Sequence, residues 1–198
     1  NAPPSRALPL EDIGRLAQGN PDGAVVIDEA YVDFGCESAL ALLDRYPNLL
    51  VVRTMSKSRS LAGLRVGYAI GSANLIAALN CVKNSFNSYT LDRLAQAGAL
   101  ASVEDEAYFQ ENRQKVMATR ARTATALELL GFTVCPSQAN FLFASHPDHS
   151  GKELLDGLRE KGVLVRWWNQ PRISNYLRIS VGTDAEMDVL LSALRELL

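Results

Sequence analysis

Residues 49–71 read Leu-Leu-Val-Val-Arg-Thr-Met-Ser-Lys-Ser-Arg-Ser-Leu-Ala-Gly-Leu-Arg-Val-Gly-Tyr-Ala-Ile-Gly, and no other stretch constrains the fold as strongly. Leu49 to Val52 form an unbroken apolar run, as a strand buried on both faces requires. Thr54, Ser56 and Lys57 stand just past its end, where open α/β sheets bind their ligands. A second apolar run starts at Leu64, with Arg65 at its head. The residues between are too few for the crossover that a parallel neighbour needs, so the second strand is expected to return antiparallel. That turn brings Arg65 back to the rim that carries Lys57. An amine, two hydroxyls and a guanidinium then share one small space, a set that suits an aldehyde bearing a phosphate. Pyridoxal phosphate meets that description: Lys57 would condense with the aldehyde. Thr54, Ser56 and the forked donors of Arg65 would hold the phosphate.

Upstream, residues 24–27 are a second continuous apolar run, ending at Asp28-Glu29-Ala30-Tyr31. Residues 38–46 have helical character and stop at Pro47. Strand, helix and strand form a βαβ unit, whose two strands should be parallel and right-handed. Asp28 and Lys57 then lie at the carboxyl ends of neighbouring strands. A carboxylate there can pair with a protonated pyridine nitrogen, and Tyr31 can donate to the ring's phenolic oxygen.

Composition narrows the field. With 198 residues, 47% hydrophobic and 21% charged, the chain has the make-up of a soluble globular protein with one full core or two small ones. A formal net charge of −2 gives no footprint for nucleic acid or an anionic membrane. No apolar run approaches the roughly 20 residues of a membrane span, and no signal peptide is visible. Cys36, Cys81 and Cys135 are odd in number and widely spaced, as free thiols of a reducing, cytoplasmic compartment would be. His146 and His149 lack a third nearby ligand, so no metal site is expected.

Residues 10–18 should form a short amphipathic helix, and residues 72–82 and 91–101 two more. Ser102-Val-Glu-Asp105 has the form of a capping box, opening a helix expected to run to Leu130. At roughly 40 Å such a helix bridges two lobes, which places a boundary near residue 110. Beyond it the expected strands are 132–135, 140–144, 163–167 and 176–181. Helices are expected at 150–161 and from Thr183 to the end. In the last strand, alternation puts Arg178 on the face opposite Leu177 and Ile179, where a charge needs an anion or a carboxylate partner.

Val-Ile-Asp-Glu-Ala-Tyr-Val-Asp-Phe followed by Arg-Thr-Met-Ser-Lys-Ser-Arg-Ser-Leu-Ala-Gly-Leu-Arg-Val-Gly-Tyr resembles the class I/II aminotransferases of fold type I, in particular their histidinol-phosphate branch. Pro-Ser-Gln-Ala-Asn-Phe-Leu, Gly-Val-Leu-Val-Arg and Leu-Arg-Ile-Ser-Val-Gly-Thr extend the likeness to the C-terminal part. The resemblance implies an α/β fold. Residues 1–110 would be the later half of a large, pyridoxal-phosphate-binding domain with a mixed, mostly parallel sheet. Residues 111–198 would be a C-terminal α+β small domain. It assigns Lys57 to covalent attachment of the cofactor, Asp28 to the pyridine nitrogen and Tyr31 to the ring oxygen. Thr54, Ser56 and Arg65 go to the phosphate. Asn1 is implied as a second ligand of the ring oxygen, although Thr-Gly of the family's Asn-Pro-Thr-Gly loop is here Pro4-Ser5. Ser58-Arg59-Ser60 also departs from the small and aromatic residues usual after the lysine. Arg178, assisted by Arg166, would take the substrate's carboxylate or phosphate, and Asn140 would line the pocket.

The implied activity is transfer of an amino group from a donor such as histidinol phosphate or an aromatic amino acid to 2-oxoglutarate, in a homodimer. Two other readings stay open: a decarboxylase of a phosphorylated amino acid on the same scaffold, and a portion that is catalytically silent without an N-terminal half.

Overall fold

The computed structural model describes residues 2–198, so Asn1 and its expected role lie outside the described residues. The residues form two compact units, 8–111 and a second made of the segment up to Ala7 with 112–198.

In the first unit, Val25–Asp28 (β1) pairs in parallel with Leu49–Thr54 (β2), and Gly67–Gly71 (β3) pairs antiparallel on the other side of β2. The hairpin return expected from the short 55–66 connection is present, so this portion of the sheet holds one parallel and one antiparallel pair. Leu49, Leu50 and Val51 are buried, as the unbroken apolar run requires. Ile13 and Ala17 of Leu10–Gly19 (α1) are buried too, and Ile13 packs with Ala39, Leu49 and Val51. Each buried Leu, Ile or Val side chain contributes roughly 1.5–3 kcal/mol by leaving water.

The crossover differs from expectation. Residues 38–46 form no α-helix. Ala39–Leu42 is a 3-10 helix, and the chain continues in i→i+3 bonds from Leu43 to Leu40 and from Arg45 to Leu42. With so few residues before Pro47, an α-helical nucleus gains little, and the tighter winding lets Leu40, Leu42 and Leu43 all reach the sheet.

Ala73–Phe86 (α2) and Arg93–Glu104 (α3) follow. Ser72 precedes α2 without a side-chain bond to its first turn, whereas Asp92 accepts from Ala95 N. Ser102 lies inside α3 and opens no helix. The break falls at Asp105, and Glu106–Leu129 (α4) begins after it. Its 24 residues make it about 36 Å long.

The second unit carries Thr133–Val134 (β4), Phe141–Ser145 (β5) and Tyr176–Ser180 (β6) in one antiparallel sheet with β5 central. Gly151–Glu160 (α5) and Asp184–Leu197 (α6) cover it, and Leu142, Leu154, Leu158, Leu177, Ile179, Leu190 and Leu194 form its core. Thr183 and Glu186 close a reciprocal capping box on α6. The strand expected at 163–167 shrinks to a single bridge, Arg166 to Arg178. Val163 and Val165 point into the core as alternation requires, but only one residue joins the ladder.

Candidate active site

Asp28 closes β1 in register with Val52, so the parallel pairing puts its carboxyl end on the same rim as the end of β2. Alternation gives successive residues of β1 opposite faces. Asp28 shares the exposed face with Val26, whereas Glu29 turns inward and is buried. Asp28 Oδ1 accepts from Ala30 N at 2.9 Å. The turn then delivers Tyr31, over whose ring the Lys57 Nζ lies 5.6 Å from the centroid. Lys57 itself is exposed. Asp28, Tyr31 and Lys57 thus gather at the carboxyl end of the β1–β2 pair.

The loop that carries Lys57 is closed by its own backbone. Met55 N donates to Val66 O, Leu61 N to Met55 O and Ser60 N to Lys57 O, at 3.0–3.2 Å. Thr54 Oγ1 accepts from Ser56 N at 3.1 Å, which fixes the first turn. Met55 and Val66 are buried and pack with Ala95 of α3, with Leu61 and Leu64 against them. Arg65 sits before β3 with φ of 55°, a left-handed conformation uncommon for a side chain of this size. Strain of this kind persists only where the surroundings over-determine it, and it clusters at ligand sites. The Arg65 Nη1 donates to Ala62 O at 2.7 Å and the side chain is exposed.

Behind the rim lies a network that the sequence did not announce. Glu29 accepts from Arg53 Nε at 2.9 Å, from Ser38 Oγ, and from Ala39 N at 2.6 Å; Arg53 Nη2 lies 2.8 Å from the same carboxylate and donates to Ser38 Oγ. The Glu29 and Arg53 side chains are only 5% and 19% exposed. Burial works against the Arg53 charge, but the hydrogen bond and the charge of Glu29, with a smaller share from Tyr68, raise its pKa above the ordinary value. A second tie runs from Ser58 Oγ to Asp33 Oδ2, joining the lysine loop to the turn after Tyr31. A charge inside an apolar strand, as Arg53 is in β2, signals a buried partner, and Glu29 could have been sought on that ground.

In the second unit, Arg178 lies on the sheet face opposite the buried Leu177 and Ile179, as alternation demands. Its Cζ is 4.8 Å from the Phe141 ring centroid and 5.9 Å from that of Trp168, and its Nε is buried without a hydrogen-bond partner. Arg166 exchanges backbone hydrogen bonds with Arg178 and stacks over Trp168 at 5.5 Å. Asn140, half-buried, ends the same region, its carbonyl accepting from Val181 N. Two guanidinium groups beside one indole, one of them with an unused buried donor, suit an anion.

A family model described as aminotransferase class I and II matches residues 1–194. The chain belongs to that family. Over its whole length it is 57% identical to histidinol-phosphate aminotransferase 1 of Bordetella parapertussis and 60% identical to histidinol-phosphate aminotransferase 2 of Thiobacillus denitrificans, covering 55% and 56% of those proteins. The chain therefore spans about half the length of the curated relatives it matches. Among solved structures, histidinol-phosphate aminotransferase from Sinorhizobium meliloti in complex with pyridoxal-5'-phosphate aligns with a TM-score of 0.87 and 27% identity, over 99% of this chain and 54% of that one. L-Threonine-O-3-phosphate decarboxylase from Porphyromonas gingivalis aligns at 0.82, also with 27% identity, over 99% and 61%. The fold is that of fold type I enzymes dependent on pyridoxal phosphate. Among the described residues no helix is long and apolar enough to cross a membrane, and no three metal-ligating side chains cluster.

Proposed function

We propose that this chain supplies the lysine, the acid and much of the phosphate site of a pyridoxal-phosphate-dependent aminotransferase acting on histidinol phosphate or an aromatic amino donor, with 2-oxoglutarate as acceptor. The observation that carries the reading is the shared rim: Asp28 and Lys57 follow adjacent parallel strands, and the Lys57 amine stands over Tyr31. The donor set fits the group. Lys57 offers an amine for covalent attachment, and Asp28 keeps Oδ2 for a protonated pyridine nitrogen. Tyr31 offers a hydroxyl to the ring oxygen. Arg65, held in its left-handed turn, and Ser56, with Thr54 shaping the turn, offer donors to the phosphate. When bound, the pyridoxal ring withdraws the electrons left on the substrate's α-carbon.

The chain's own residues do the rest. Lys57 Nζ, as the free amine, takes the α-proton and, once charged, delivers it again as general base and acid. Asp28 holds its carboxylate at the rim so that a cationic ring nitrogen is favoured over a neutral one. Arg178 and Arg166 offer donors to an anionic group, which supports a phosphorylated or carboxylated substrate. Curated relatives at 55–60% identity bear the aminotransferase name, which supports transfer over decarboxylation. Exposed Val82, Phe86 and Leu94 on α2 and α3 support a homodimer that covers them.

The test is borohydride reduction of the holoenzyme followed by peptide mass spectrometry, with a donor screen in parallel. The cofactor mass is expected on the peptide containing Lys57 and absent in Lys57→Ala. Label on another lysine overturns the site. Carbon dioxide release without consumption of 2-oxoglutarate overturns the reaction.

A further inference from the structure

We propose that Arg59 is a positioning residue for Lys57: it pins the lysine loop to the junction between α3 and α4, and so sets where the amine sits on the rim. The inference rests on the reading of Lys57 given above.

Arg59 lies two residues past Lys57, yet its side chain is only 16% exposed. Its Cζ lies 3.9 Å from the centroid of the Phe109 ring, within contact range for a guanidinium over an aromatic face. Phe109 is itself buried. One arm of the fork, Nη1, donates to Ser102 O, a carbonyl of the last turn of α3, where four such groups lack intrahelical partners. The other, Nη2, donates to Glu106 Oε2 at 3.1 Å, in the first turn of α4. A single side chain therefore stacks, caps one helix and pairs with the next.

The position of this anchor in the loop matters. Ser60 follows with φ of 57°, and its N–H donates to Lys57 O. On the other flank Ser58 is tied to Asp33. The residue after Lys57 and the one after that are thus fixed to different elements, and Lys57 is held between its own turn and the Arg59 anchor. Loss of the anchor frees the Ser60 turn to relax out of its left-handed conformation, which shifts the carbonyl of Lys57 and with it the root of the catalytic side chain. The three contacts need a planar fork and a flat stacking face at once, so a lysine cannot reproduce them.

The experiment compares wild type, Arg59→Lys, Arg59→Met and Glu106→Gln as holoenzymes. In each, the visible absorbance of the bound cofactor is followed against pH and single-turnover rates are measured with saturating donor. Arg59→Met keeps an apolar stem on Phe109 and is expected to shift the pH midpoint of the absorbance change. It should also lower the rate roughly 10- to 100-fold with little change in donor affinity, because displacement of a reacting group far exceeds the effect of lost binding. Arg59→Lys should recover only part of this, and Glu106→Gln, which strips the charge from one contact, should fall between wild type and Arg59→Met. If Arg59→Met melts lower but titrates and turns over as wild type does, Arg59 is a brace between two helices and the proposal is wrong. If Arg59→Met does not fold, Glu106→Gln decides in the same way. Borohydride labelling of wild type separates the two failures: label away from Lys57 sinks the site, whereas label on Lys57 with unaltered variants sinks only the role of Arg59.

Discussion

Glu29 is the residue whose removal should do most damage to the β1–β2 rim without touching a reacting group. Glu29→Met keeps most of the side-chain volume but strips Arg53 of its carboxylate and leaves Ser38 Oγ and Ala39 N without their acceptor. Breaking a buried pair by removing one partner costs about 3–5 kcal/mol, and the partial exposure of Arg53 points to the lower end. A loss of about 3 kcal/mol compares with total stabilities of roughly 5–15 kcal/mol. In urea, with a slope of about 1–3 kcal/mol per molar, it moves the unfolding midpoint by about 1–3 M. Adding Arg53→Met should restore part of the loss, since a buried pair replaced by apolar residues is often tolerated. Far-UV circular dichroism gives the midpoints. Hydrogen exchange at Glu29 N, bonded to Val52 O, reports fraying at the end of β1 directly. A single variant that loses under about 1 kcal/mol, or a double variant no better than the single, would refute the view that this pair is buried and coupled.

Two further outcomes follow from local geometry. Ser5 is buried with φ of 60°, so Ser5→Gly should raise stability by about 1 kcal/mol in a urea melt, whereas Ser5→Val should lower it. Thr183 backbone and side-chain donors hold the Glu186 carboxyl below its usual pKa. Its contribution to stability is therefore present above the ordinary carboxylate range and disappears as pH falls through the depressed value. Urea midpoints of Glu186→Gln should lie below wild type at neutral pH and converge with it in acid.

The sequence carried those parts of the fold that local pattern controls. Leu49 to Val51 announced a buried strand because no polar residue interrupts them, and the short run to Arg65 left only an antiparallel return. Thr183 marked the start of the last helix. A capping-box spacing misled at Ser102, which falls inside α3, and the chain breaks at Asp105 instead. Residues 38–46 carry helical periodicity, but Pro47 and the demand to press Leu40, Leu42 and Leu43 onto the sheet favour tighter turns. The substitution of Ser5 for the family's glycine was visible, while its meaning needed the observed left-handed backbone. Glu29 with Arg53, and Arg59 with Phe109, stayed hidden because each joins residues far apart in sequence, and only the strand register and the packing of α3 and α4 bring them together.

The closure of the 55–66 connection by main-chain bonds at both its ends has a dynamic corollary. A segment stitched from Met55 to Val66, and from Leu61 back to Met55, has little freedom to breathe as a lid. Movement of the amine must then come from torsions along the lysine's methylene stem, which hop on picosecond to nanosecond timescales, rather than from slower excursions of the peptide chain.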